Sequence, residues 1–119
     1  DRKALSAAFP VTVLAARGVY DGDALIGFAM YGFFWEYLPF GRLWLDRLLI
    51  DRRFQGRGYG RAALAALLER LEREYHKKRI YLSVVEANRP AAALYESFGF
   101  RFTGERDTHG ERVMCLRTR

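Results

Sequence analysis

Three prolines, two histidines and a single cysteine are all that this chain of 119 residues holds of those types. The lone Cys115 rules out an internal disulfide, which agrees with a reducing cytoplasm. His76, His109 and Cys115 are too scattered to have metal-ligand spacing, so no metal is expected. No apolar run approaches the ~20 residues that cross a bilayer, and no secretory leader is legible. The expectation is therefore a cytoplasmic protein with no membrane partner. Acidic residues are outnumbered, 14 Asp and Glu against 20 Lys and Arg, for a net charge of +6. A surplus of that sign invites polyanions, but the charges are dispersed, with no basic run and no nucleic-acid motif, so no nucleic-acid partner is expected. Repeats, linkers and low-complexity segments are missing too. What the chain does hold is 50% hydrophobic and 15% aromatic residues, enough for one globular domain with its own core.

The chain is organised around Leu43 to Leu71. Leu43 to Ile50 is apolar apart from Asp46 and Arg47, which reads as a largely buried strand. Gln55-Gly56-Arg57-Gly58-Tyr59-Gly60 then places glycine at every second position, so the backbone can turn sharply and a ligand can approach its N–H groups without meeting a Cβ. From Arg61 the period becomes helical, with Leu64, Leu67, Leu68, Leu71 and Tyr75 on one apolar stripe. A helix that begins at glycines, flanked by Arg57 and Arg61, presents unpaired N–H groups and the positive end of its dipole, and its natural guest is a phosphate or pyrophosphate. A Walker-type loop is excluded because Arg61 and Ala62 follow Gly60 in place of lysine and a hydroxyl residue. A dinucleotide fingerprint is excluded because the spacing is Gly-x-Gly-x-Gly. A turn that only packs a helix on a strand stays open at this point.

The same segment resembles the Gln/Arg-x-x-Gly-x-Gly/Ala signature of the GNAT superfamily of acetyl-CoA-dependent N-acetyltransferases. A second segment, Asn88-Arg89-Pro90-Ala91-Ala92-Ala93-Leu94-Tyr95-Glu96-Ser97-Phe98-Gly99-Phe100, resembles that superfamily's Asn-x-x-Ala-x-x-Leu-Tyr-x-x-x-Gly-Phe pattern and follows in the right order. The resemblance runs from about Val11 to Leu116. It implies acetyl-CoA as donor, its pyrophosphate held by Gln55, Gly56, Arg57, Gly58, Tyr59, Gly60 and Arg61, with Asn88 and Tyr95 also on the CoA side. The backbone of Leu48, Leu49 and Ile50 would hydrogen-bond the pantetheine arm. Gly27 to Gly32, Trp44 to Arg47 and Asn88 to Glu105 look most like bacterial spermine/spermidine acetyltransferases.

The remaining elements can be read in order. Asp1 to Phe9 has helix-forming composition and reads as a helix tail closed by Pro10. Against the GNAT pattern, the usual first strand and helix are expected to be missing from this single domain. Val11 to Tyr20 and Ala24 to Phe34 read as antiparallel strands joined at Asp21-Gly22-Asp23. An aromatic loop follows, with Glu36 between Trp35 and Tyr37, either a satellite hydrophobic cluster or part of a substrate wall. Arg79 to Val85 reads as a strand, Arg89 to Ser97 as a short helix capped by Asn88 and ended by Gly99, and Phe100 to Arg106 with Glu111 to Arg117 as a last hairpin. The fold class expected is α/β, a mixed and mostly antiparallel sheet with flanking helices. The resemblance adds a splayed parallel strand pair.

Acetyl transfer to an amine needs a base, an oxyanion donor and an acid for the departing thiolate. The resemblance makes Tyr95 the acid. Asp46 is the candidate base, because a carboxylate that interrupts an apolar strand is costly unless paired with an arginine or used. Glu36, Asp46 and Glu86 are the candidate amine-binding acids. The partners expected are a small-molecule amine, with a polyamine foremost, and a second copy of the chain in a homodimer. A non-catalytic acyl-CoA-sensing module, and transfer to an amino acid, an antibiotic or a peptide N-terminus, remain as alternatives.

Overall fold

A computed structural model describes residues 2–5, 12–34, 41–76 and 78–118. Glu36 and its aromatic loop lie outside the described residues. The chain divides into two compact units, Asp1–His76 and Lys77–Arg119.

The first unit is an antiparallel sheet of β1 (Arg2–Leu5), β2 (Thr12–Asp21), β3 (Ala24–Phe34) and β4 (Arg42–Ile50), in that order, followed by α1 (Tyr59–Tyr75). The turn between β2 and β3 is made by Gly22, at φ 61°, and Asp23, the glycine-first pattern whose twist suits a hairpin. Arg2–Leu5 corrects the expected helix tail. These residues form a strand whose backbone pairs with β2 from Arg2↔Ala16 to Leu5↔Val13. Four helix formers are far too few to nucleate a helix in isolation, whereas an adjacent strand edge satisfies the backbone of every second residue as it pairs.

The stripe read in α1 is the buried one: Leu64, Leu67 and Leu71 are buried with Ala63, and Leu68 and Tyr75 are half-buried. Tyr31 of β3 is fully buried, so its hydroxyl must find a partner. It donates to Glu74 Oε1 at 3.3 Å and accepts from Arg17 Nε at 2.8 Å. Glu74 also takes Arg17 at 3.2 Å and Arg70 at 2.9 Å. This network ties the last turns of α1 to β2 and β3. Tyr31→Phe keeps the ring but removes the hydroxyl that Arg17 and Glu74 share, leaving their ion pair in place, and it is expected to cost about 1–3 kcal/mol. Thermal unfolding should show a lower melting temperature, and an unchanged one would mean that water replaces the hydroxyl at no cost.

The second unit holds β5 (Arg79–Val84), α2 (Arg89–Ser97), β6 (Arg101–Arg106) and β7 (Arg112–Arg117), with strand order β5-β7-β6 and antiparallel pairing. Ile80, Leu82, Val84, Phe100, Val113 and Met114 are among its buried residues. Asp107 shapes the last hairpin turn by accepting from the His109 and Glu111 amides, each at 2.9 Å. His109 is exposed in that turn, as expected, and His76 ends α1 in the left-handed conformation at φ 52°.

Candidate active site

One group of candidate residues lies in the first unit, where β4 gives way to α1. The end of β4 pairs with β3 at Gly27↔Ile50, Phe28↔Leu49 and Ala29↔Leu48. The Asp51 amide donates to the Ile26 carbonyl at 2.7 Å, which makes that pair a hydrogen-bonded one. Antiparallel pairs alternate, so Leu49 spends its backbone groups on Phe28 while those of Leu48 and Ile50 point away from β3. Only Leu48 and Ile50 of the expected pantetheine-binding trio therefore have backbone groups that the β3 ladder does not use.

Beyond β4, Asp51 caps a 3-10 turn, Arg52–Phe54, by accepting from the Arg53 amide at 2.9 Å. The Arg53 guanidinium hydrogen bond, the largest cause, and that backbone bond hold the Asp51 carboxyl below its usual range. Gln55 turns its side chain back to the Ile50 carbonyl at 2.9 Å, so it shapes the loop with its amide group. Gly56 and Gly58 have φ of 78° and 84°. A Cβ built on Gly56, Gly58 or Gly60 would meet nothing within 4 Å. The space over the loop is open, and glycine is there for backbone conformation and for approach from outside. Gly58 is also the N-cap of α1 and offers no side-chain bond to the first turn. The loop thus leaves its backbone open to approach, with exposed Arg52, Arg57 and Arg61 nearby in sequence. Tyr59 sends its side chain elsewhere, to Asp21 at 2.5 Å and edge-on to Phe54 at 5.9 Å.

Asp46 corrects an expectation. The β3–β4 register jumps between Met30↔Arg47 and Tyr31↔Leu45, so Asp46 is the extra residue of a bulge. Leu43, Trp44 and Leu45 are buried, but Asp46 and Arg47 are both exposed and Leu49 is 52% exposed. The strand is buried over its first half only, and no burial cost compels a partner for Asp46. Among the described residues it has no ion pair or hydrogen bond.

The other group lies in the second unit. Asn88 is the N-cap of α2, as expected, its side-chain oxygen accepting from the Ala91 amide at 3.2 Å. Tyr95, on the last turns of α2, packs edge-on against buried Phe100 at 5.8 Å. Burial pushes its phenol up from the ordinary 10.0, so the group keeps its proton. Glu86 is already engaged, accepting from Arg106 at 3.0 Å in an exposed ion pair that an incoming ammonium could displace at little cost. Among the described residues no group of histidine, cysteine, aspartate and glutamate has the makings of a metal site, and no helix is long and apolar enough to cross a membrane.

Loop, strand and capped helix are the parts of one known kind of protein. Residues 4–100 match the model of the acetyltransferase (GNAT) family, and the chain belongs to that family. Among its relatives, the spermine/spermidine N(1)-acetyltransferase of Bacillus subtilis (strain 168) is 54% identical over 98 residues. That match takes in 80% of this chain, and the chain spans 64% of the relative's length. Among solved structures, a Pyrococcus horikoshii protein superposes with a TM-score of 0.70 at 30% identity, over 84% of this chain and 62% of that one. An acetyltransferase from Thermus thermophilus gives 0.68 at 25% identity, over 92% and 66%. The PaiA N-acetyltransferase of Thermoplasma acidophilum, solved with coenzyme A, shares the fold at 18% identity with a TM-score of 0.65, over 87% and 60%. The α/β class with a mostly antiparallel sheet is thus the one expected.

Proposed function

We propose that this chain is an N-acetyltransferase that moves an acetyl group from acetyl-CoA to a primary amine, with a polyamine such as spermidine or spermine as acceptor. The observation that carries the reading is the open glycine cradle between β4 and α1, supported by the likeness to the Bacillus enzyme named for spermine and spermidine. Acetyl-CoA, when bound, supplies the activated acyl group. The loop from Gln55 to Arg61 takes its pyrophosphate on main-chain N–H groups, and the Leu48 backbone and the Ile50 amide are offered to the pantetheine arm, the Ile50 carbonyl being held by Gln55. Asn88 supports the helix that carries Tyr95. In the reaction a C–N bond forms as the C–S bond breaks, the amine gives up a proton and the thiolate gains one. Tyr95 delivers the proton to sulfur, and Asp46 takes the other through water. Glu36, Asp46 and Glu86 furnish carboxylates for a cationic acceptor.

The net charge of +6 opposes a polyamine at long range. At 0.15 M salt that field is screened beyond ~8 Å, so local acids decide binding. The test is thiol release from acetyl-CoA with spermidine, spermine, lysine, an aminoglycoside and a peptide amine, beside calorimetry with CoA. Release that depends on polyamine is expected. Binding of CoA with no amine-dependent release would favour an acyl-CoA sensor, and no CoA binding would remove the reading altogether.

Asp46→Asn distinguishes a base from a bystander. Turnover should fall most at neutral pH, where the acceptor is an ammonium, and recover as pH approaches ~10. Because Asp46 is exposed and unpaired among the described residues, the melting temperature should hold, within the ±0.5 kcal/mol or so of surface substitutions. Wild-type turnover across that pH range would end the assignment.

A further inference from the structure

We propose that Tyr59 is a positioning residue for the anion loop: its hydroxyl bond to Asp21 and its ring contact with Phe54 set the direction of the first turn of α1, and hence of the N–H groups that meet the donor's pyrophosphate. The inference rests on the reading of that loop as a CoA site. Helices are ordinarily fixed at their start by a serine, threonine or aspartate cap. Here the N-cap is Gly58, at φ 84° with no side-chain bond, and Gly60 follows one residue into the helix. Two glycines this close leave the turn with more conformational freedom than any other residue type would. Tyr59 lies between them, and it is the side chain of the three that can hold the turn.

It does so from outside. Its hydroxyl donates to Asp21 Oδ2 at 2.5 Å, across 38 positions of sequence, and so reaches the last residue of β2. That bond, before all other causes, raises the phenol's pKa and keeps it a donor. The ring stands at 81° to Phe54, whose own face carries the Arg53 and Arg57 guanidiniums at 5.4 and 5.8 Å from its centre. The 3-10 turn, the glycine loop, the helix start and the β2–β3 hairpin are thereby joined through one phenol. Asp21 by itself would oppose an anion, so the sign of its effect on binding tells a strut from a stray charge.

The test measures the affinity of CoA and of pantetheine, which lacks the pyrophosphate, in the wild-type chain, Tyr59→Phe, Asp21→Ala and the double variant. Each single change is expected to weaken CoA about three- to tenfold, the scale of one hydrogen bond. The double variant should be no weaker than the singles, and pantetheine should bind as before. Unchanged or tighter CoA binding in either single variant, additive losses, or an equal loss for pantetheine would overturn the proposal. If Tyr59→Phe fails to fold, the exposed Asp21→Ala carries the same comparison. A wild-type chain that does not bind CoA would instead sink the reading of the loop, which separates the two failures.

Discussion

Tyr95→Phe should leave CoA affinity and melting temperature nearly unchanged and lower turnover by about 10²–10⁴-fold, the usual contribution of a positioned general acid. The structural grounds are in the second unit. The ring contact with Phe100 belongs to the part of the side chain that phenylalanine retains. The hydroxyl has no hydrogen-bond partner among the described residues, so removing it breaks no internal bond. Its proton is held, because burial raises the phenol's pKa above the ordinary 10.0. A phenol that keeps its proton at neutral pH is available to donate it to the sulfur as the C–S bond breaks, and is reprotonated by solvent afterwards. Steady-state kinetics with the best acceptor decides the matter. Full turnover in Tyr95→Phe would return the residue to core packing.

Gly58→Glu is expected to raise the CoA dissociation constant by about 100-fold or more. Two effects add. A side chain at φ 84° is strained by about 1–2 kcal/mol, which tilts the loop away from its open form. The new carboxylate would also share the cradle with a pyrophosphate, and each close pair of like charges costs about 1–4 kcal/mol between bulk water and a protein surface, where 1.4 kcal/mol is a factor of ten. Gly58→Asn is the control, since asparagine tolerates the left-handed region and adds no charge. Its affinity should lie nearer to wild type. Calorimetry showing equal CoA binding in Gly58→Glu would remove the anion-site reading.

The elements that carry these two positions are legible in the sequence because their signals are local. Alternating glycines followed by the stripe of Leu64, Leu67 and Leu71 mark a strand-to-helix turn within one window, and Asn88 with Pro90 marks a helix start. The hairpin at Gly22 is legible for the same reason. What is not legible depends on a partner elsewhere in the chain. Arg2–Leu5 is a strand because the edge of β2 is there to receive it. Asp46 is exposed at a point where the register against β3 slips by one residue, and no run of apolar neighbours in β4 announces a slip. Tyr59 reads as part of a ligand loop, whereas its side chain is taken up by Asp21, which no spacing rule links to it. The alternation that commits Leu49 to β3 likewise needs the register, since the sequence offers three equivalent apolar residues.

The side chains of the glycine loop are occupied elsewhere: Gln55 returns to Ile50, Tyr59 goes to Asp21, and Arg57 lies over Phe54. What the loop itself leaves open, beside exposed arginines such as Arg61, is peptide backbone, whose chemistry is the same whatever the residue. Read as the proposed donor grip, such a loop is nearly indifferent to the identity of its side chains, so long as the glycines persist. The acids proposed for the amine enjoy no such shelter, since a carboxylate read as a side chain is lost with a single codon. On the proposed reading, donor and acceptor specificity therefore rest on different chemistry, one on backbone and the other on side chains.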